Sequence, residues 1–167
     1  MKTILETNRL LLRELSLSDA ENIYNLNLNP DVIKYTGDTA FKSIEDAHKF
    51  LKNYLDYKLN GYGRWAVMQK KTNSFIGFCG LKFNPEDNQT DIGFRFFEDM
   101  WNRGYATESA RACLDYCFER YNLKQIIGRA MKVNLNSIKV LEKIGLKYKK
   151  DIELDGEEAV LYEIKNK

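Results

Sequence analysis

The chain changes its hydrophobic period several times, and each change marks an element. Apolar residues crowd the run RLLLREL at 9–15, which reads as a strand. Ser18 and Glu21 have the spacing of a capping box and open a helix predicted to run to about Leu28. Pro30 starts a short further turn of helix. Ser43 opens a longer helix with Ile44, Ala47, Leu51, Tyr54 and Leu55 on one face, ending near Gly61 and Gly63. RWAVMQK (64–70) and SFIGFCGLKF (74–83) read as strands joined by a hairpin turn at Lys71-Thr72-Asn73. A second turn, PEDNQ (85–89), leads to the strand DIGFRFF (91–97).

Helical spacing returns with Ala106, Ala110, Cys113, Leu114, Cys117, Phe118 and Tyr121. QIIGRAM (125–131) is a short apolar strand, and NSIKVLEKIG (136–145) a helix ended by Gly145. Two strands close the pattern, around 147–154 and 159–165, with Asp155-Gly156 as their turn. The order β-α-α-β-β-β-α-β-α-β-β implies an α+β fold, a mixed and mostly antiparallel central sheet with helices on both faces. The strand-helix-strand crossover should be right-handed, making strands 91–97 and 125–131 parallel neighbours.

The length of 167 residues suits a single domain spanning 1–167. Hydrophobic residues make up 44% and charged residues 30%, the balance of an ordinary globule. The net charge of +2 comes from lysines scattered among carboxylates, so no nucleic-acid partner is expected. No apolar run approaches the ~18 residues of a membrane span, so no membrane partner is expected. The N-terminal MKTILETNRLLLREL carries Glu6, Arg9 and Arg13, which marks a strand rather than an export signal. Cys79, Cys113 and Cys117 are odd in number and lack CxxC spacing, and the one histidine, His48, is remote from them. Buried thiols in a reducing cytoplasm, with no metal, fit best.

Candidate chemistry collects where strand 91–97 hands over to the next helix. A helix start has unpaired N–H groups and a partial positive charge, so it suits an anion. Gly104 allows close backbone approach, Ala106 keeps the next position small, Arg103 adds a cation and Thr107 a hydroxyl. These describe a phosphate or diphosphate cradle; a tight turn beside a surface arginine accounts for the same residues. Neither G-x-x-x-x-G-K-[ST] nor G-x-G-x-x-G occurs, so the common nucleotide loops are excluded. No G-x-S-x-G occurs either, which disfavours a hydrolase triad.

The stretch IGFRFFEDMWNRGYATES resembles the acyl-CoA-binding segment of the GNAT superfamily of N-acetyltransferases. That family's loop runs Gln/Arg-x-x-Gly-x-Gly/Ala, and this chain has Trp101-Asn102-Arg103-Gly104-Tyr105-Ala106. Trp101 at the first position is similar to the branch that holds the ribosomal-protein-alanine N-acetyltransferases. TNRLLLRELSLSDAENIYNLNLNPDVIKYTG and VNLNSIKVLEKIGLKY resemble two further segments of that branch, with Leu146 where it usually has Phe.

The resemblance implies acetyl-CoA as donor and an amine as acceptor, a small molecule or a protein N-terminus, in a monomer or homodimer. It places the diphosphate on the amides of Asn102, Arg103, Gly104, Tyr105, Ala106 and Thr107. It implies a parallel strand pair that splays apart, with pantetheine pairing to the main chain at Phe94 and Phe96. The side chains of Phe94 and Phe96 belong to the core by strand alternation. Asn134 corresponds to an asparagine that touches the pantetheine arm, though a helix cap explains it as well. Lys143 is a phosphate contact or a solvated helix lysine.

Direct attack by a neutral amine needs proton removal, because a lysine-type ammonium has a pKa near ~10.4. Asp91 stands at the family's acidic position and is the candidate base. The tyrosine that many members use to protonate the leaving thiolate is Leu141 here, so Ser137 is the candidate donor, with helix capping as its other reading. Glu108 lies near the cradle, where a first-turn carboxylate ordinarily complements the helix dipole. Tyr62 and Trp65 are acceptor-lining or core residues. Asp155, Glu157 and Glu158 are an acidic attraction for a cationic acceptor or a solvated turn. A non-catalytic acyl-CoA-binding module is the alternative function, and a ligand-free interaction scaffold a third.

Overall fold

The computed structural model describes residues 2–167. Its strands are β1 (Thr3–Glu6), β2 (Leu10–Glu14), β3 (Arg64–Gln69), β4 (Ser74–Asn84), β5 (Gln89–Phe96), β6 (Gln125–Met131), β7 (Lys147–Leu154) and β8 (Glu157–Lys165). Its helices are α1 (Ala20–Leu28), α2 (Pro30–Ile33), α3 (Ile44–Lys52), α4 (Asp56–Asn60), α5 (Tyr105–Tyr121) and α6 (Leu135–Lys143). The strands form one sheet in the order β1-β2-β3-β4-β5-β6-β8-β7. Every neighbouring pair is antiparallel except β5 with β6. The α+β class and the parallel pairing read from the hydrophobic pattern are both present.

Strand alternation divides the core between the two faces of the sheet. Trp65 and Val67 pack with α5 and α6, beside Cys79, Leu81, Ile92, Cys113 and Leu141. Ala66 and Met68 point the other way, toward Ala20, Ile23, Ala47 and Leu51 of α1 and α3. A bulge in β4 helps supply both faces. Val67 pairs with Gly77 and Met68 with Phe75, so Ile76 is skipped. Phe75 thereby joins the α1–α3 cluster while Ile76 joins the α5–α6 cluster.

Three elements differ from the sequence reading by more than a residue or two, the last two of them because of partners outside their own helix. The N-terminal segment forms two strands, β1 and β2, rather than one. The start of α1 is braced at Ser16 and Asp19, not at Ser18 and Glu21: Asp19 Oδ2 accepts the Ser16 amide at 2.8 Å, and Leu17–Asp19 form a 3-10 turn before α1. Asp19 is buried there because Arg13 grips both its oxygens, at 2.8 and 2.7 Å. The long helix expected after Ser43 is two, α3 and α4, broken at 53–55. Tyr54 at the break turns inward, its hydroxyl accepting the Arg64 amide at 2.7 Å. Tyr57 accepts the Leu15 amide at 3.0 Å and donates to the Arg64 carbonyl. These two phenols lock β2 and β3 together where a continuous helix would have carried them away.

Candidate active site

Between β5 and β6 only one pair is in register, Asp91 with Ile127. Beyond it each strand keeps its other neighbour: β5 pairs with β4 as far as Phe96, and β6 with β8 as far as Met131. The two strands therefore part, and the sheet opens into a V. The Phe97 amide bonds the Ile76 carbonyl at 3.1 Å, which fixes the alternation along β5. Main-chain groups of Asp91, Gly93 and Arg95 face β4, and those of Phe94 and Phe96 face the opening. The side chains of Phe94 and Phe96 pack into the α5–α6 core, as their strand positions predicted. The Trp101 indole N–H donates to the Phe96 carbonyl at 3.0 Å.

At the tip of the opened strand lies the turn into α5. Asn102 (φ 58°) and Gly104 (φ 79°) have left-handed backbone, a pattern that builds anion-binding concavities. Gly104 is the N-cap and no side chain caps the helix. The first intrahelical bond runs from the Glu108 amide to the Gly104 carbonyl at 2.9 Å, so the amides of Tyr105, Ala106 and Thr107 precede the helical ladder.

Arg9, which the sequence did not point to, reaches this turn from the β1–β2 connection. Its Nη1 donates to the Arg103 carbonyl at 3.0 Å, and its guanidinium lies 4.5 Å from the centre of the Tyr105 ring. Glu108 takes Arg9 Nε at 2.7 Å, the Arg9 amide at 3.0 Å and the Thr7 hydroxyl at 2.6 Å. Burial pushes the Glu108 carboxyl up, but these three donations outweigh it and hold it below its ordinary range. Glu108 is thus a brace between α5 and the β1–β2 turn. Gly104, Thr107 and Lys143 share a depression of about 490 Å3 with Thr7, Glu108 and Arg111.

A larger cavity, about 810 Å3, runs through the V. On the α5–α6 side its walls include Phe94, Asn134, Ser137 and Leu141; on the α1–α3 side they include Tyr54, Arg64, Asp91 and Arg95. Asn134 caps α6: its Oδ1 accepts the Ser137 amide at 3.3 Å and its Nδ2 donates to Ser137 Oγ at 2.9 Å. The capping reading of Asn134 is therefore realised in a residue that also faces the cavity. Tyr62 and Trp65 are buried in the α5–α6 core and do not line it.

Asp91 sits at the fork. Arg64 Nη2 donates to its Oδ1 at 2.6 Å; Asn84 Nδ2 and Arg129 Nη1 reach Oδ2 at 2.9 and 3.2 Å. One carboxylate thus joins β3, β4, β5 and β6 where the V begins. Burial raises the Asp91 pKa, yet the Arg64 charge, the hydrogen bonds from Asn84 and Arg64, and the Arg129 charge bring it below the ordinary carboxylate value. A carboxylate held this way is a weak proton acceptor. Gly93 makes the arrangement possible, since a Cβ there would collide with the Arg64 guanidinium. Arg64 and Arg129 are each the one charged residue of an apolar strand, RWAVMQ and QIIGRAM, and that pattern is the signal that would have found them. Among the described residues no cluster of three or more His, Cys, Asp or Glu is placed to hold a metal. None of their helices is long and apolar enough to cross a membrane.

An eight-stranded sheet split at one parallel pair, with an uncapped helix start at the tip of the split, defines the acetyltransferase class. The chain belongs to the Acetyltransferase (GNAT) domain family, whose model matches residues 9–147. It is 35% identical over 170 residues to the uncharacterized protein YkkB of Bacillus subtilis, covering 99% of this chain and 97% of that one. A GNAT-family acetyltransferase from Bacillus anthracis superposes with a TM-score of 0.83 at 28% identity, covering 98% of each chain. A spermidine N-acetyltransferase from Vibrio cholerae, solved with CoA and spermine, shares the fold with a TM-score of 0.79 at 22% identity, covering 95% of this chain and 96% of that one. The family uses acetyl-CoA.

Proposed function

We propose that the protein is an N-acetyltransferase that moves an acetyl group from acetyl-CoA to a primary amine by direct attack in a ternary complex. The carrying observation is the cavity through the V, which joins the α6 side of the sheet to the α1–α3 side beside Phe94. Donor and acceptor can enter from opposite faces and meet there. The segments around Gly104 and Asn134 resemble the ribosomal-protein-alanine branch, which supports a protein N-terminus or a small amine as acceptor, in the cytoplasm.

In this reading the amides from Asn102 to Thr107, with Arg103, hold the diphosphate, and Lys143 contributes from the rim. The cradle fits an anion because its amides precede the helical ladder. Phe94 and Phe96 present main-chain groups to the pantetheine arm, and a main-chain N–H of this strand stabilises the developing oxyanion. The acceptor amine attacks the thioester carbonyl carbon, the C–S bond breaks, and the proton leaves the amine to water. Asp91, charged and held by two arginines, positions the fork and water near it. The Ser137 oxygen already accepts from Asn134, so its own hydrogen is available to the departing sulfur, and water carrying the amine's proton restores the hydroxyl.

The test is to mix protein, acetyl-CoA and a panel of amines and follow free thiol, with calorimetry of CoA binding alongside. Thiol release that requires both substrates supports the transferase. Heat from CoA without turnover of any amine supports the acyl-CoA-binding module instead, for which Leu141 in the tyrosine position is the argument. No heat from CoA overturns both.

A further inference from the structure

The acceptor half of the cavity has an uneven supply of hydrogen-bonding groups. Four cations line the cavity, Arg64, Lys82, Arg95 and Arg129, against three carboxylates, Asp38, Asp56 and Asp91. Two of those carboxylates are already engaged. Asp91 is shared by Arg64 and Arg129, and Asp38 Oδ2 accepts Arg95 Nη2 at 2.6 Å.

The guanidiniums, by contrast, keep donors in reserve. Arg95 uses one N–H on Asn27 and one on Asp38, with its plane over the Phe78 ring. Arg129 uses one on Asp91 and one on Asp87. A guanidinium has five N–H groups, so each of these retains more than it uses. Lys82 is directly across the ladder from Asp91 and has no ion-pair partner among the described residues. The space beside Phe94 therefore offers one unpaired ammonium and several unused N–H donors, while two of its three carboxylates are held by arginines.

A purely cationic acceptor finds no use for those donors, whereas a carboxylate on the acceptor can take them in charge-assisted hydrogen bonds. A polyamine, with several cations and no anion, has one lining carboxylate outside the arginine pairs to meet, Asp56, which is itself close to the Tyr54 hydroxyl. We propose, on the basis of the transferase reading above, that the acceptor is an amine carrying a carboxylate, such as an amino acid or short peptide. Lys82, opposite Asp91 on the ladder, and the unused N–H groups of Arg129, which also reaches Asp91, receive that carboxylate.

The test measures kcat and KM by thiol release with free amino acids and dipeptides, with their C-terminal amides, and with spermidine. Carboxylate-bearing amines should exceed their amides by at least about tenfold in kcat/KM. Lys82 is exposed and unpaired, so Lys82→Gln should fold normally, raise KM for carboxylate-bearing amines severalfold, and leave KM for the amides unchanged. Amides or spermidine used as well as the acids, no carboxylate-bearing amine turned over, or equal KM in wild type and Lys82→Gln overturns the proposal. CoA titration separates the two levels: heat from CoA with turnover confined to carboxylate-free amines removes the acceptor assignment alone, while absence of heat removes the transferase reading as well.

Discussion

Asn134 and Ser137 hold each other through two bonds of opposite sense: the Asn134 side-chain oxygen Oδ1 accepts the Ser137 main-chain amide, and the Asn134 side-chain Nδ2 donates to the Ser137 hydroxyl oxygen. The first bond is an ordinary helix cap. The second fills an acceptor site on the hydroxyl and leaves its hydrogen free to turn toward the cavity. Ser137→Ala should therefore lower kcat about tenfold to a hundredfold while CoA affinity changes little. Asn134→Ala should lower kcat as well and cost about 1 kcal/mol of stability, since it also removes the cap of α6. Steady-state thiol release and urea denaturation check both; an unaltered kcat in Ser137→Ala would show that another group serves the leaving sulfur.

Gly104→Ala probes the cradle. Its φ of 79° is left-handed, so a side chain there carries about 1–2 kcal/mol of strain. The nearest atom to a new Cβ is Arg9 Nη2 at 3.4 Å, so nothing in the fold collides with it. The variant should fold with a somewhat lower Tm and bind CoA at least about tenfold more weakly. Calorimetry giving a Kd within twofold of wild type would argue that the diphosphate lies elsewhere.

Asp91→Asn should destabilise the protein by about 3 kcal/mol at pH 6, because it leaves Arg64 and Arg129 facing a neutral group at the fork. The folded-state pKa of Asp91 lies below its unfolded value of ~3.9. Its stabilisation is therefore complete above the unfolded pKa and fades as pH falls through the folded one. Urea melts at pH 6 and pH 3 should show the gap between variant and wild type narrowing at the lower pH. A gap that stays constant would mean that the ion pairs contribute nothing net.

Cys79, Cys113 and Cys117 are all buried, and burial pushes the thiols of Cys113 and Cys117 up, away from the reactive thiolate. A disulfide-exchange reagent should find no fast-reacting thiol in the native protein and three after unfolding in guanidinium. One rapid native thiol would place a cysteine at the surface.

The local signals in this chain translated well. The strand-to-helix handover at Gly104, the apolar stripe of α5 and the turn at Asp155-Gly156 depend on neighbours within a few residues, and they lie where the pattern put them. What could not be read depended on register between distant strands. Nothing near Arg9 in sequence announces that its guanidinium will bridge Arg103 and Glu108. Likewise, the capping box at Ser18 and Glu21 satisfied the local rule, but Arg13 from β2 claims Asp19 and moves the brace upstream to Ser16. Asp91 was visible as an acid at the head of a strand; its grip by arginines from β3 and β6 needed the sheet order. The break in α3–α4 has the same origin, since Tyr54 and Tyr57 answer to β2 and β3 rather than to their own helix.

The Trp101 indole on the Phe96 carbonyl has a practical corollary. The chain has two tryptophans; Trp65 is wholly buried, whereas Trp101 is 37% exposed at the very edge the ligand would follow. One fluorophore is a constant reference and the other a built-in sensor. Emission recorded during a CoA titration would report arrival at that edge without any label, and a Trp101→Phe protein would supply the silent control.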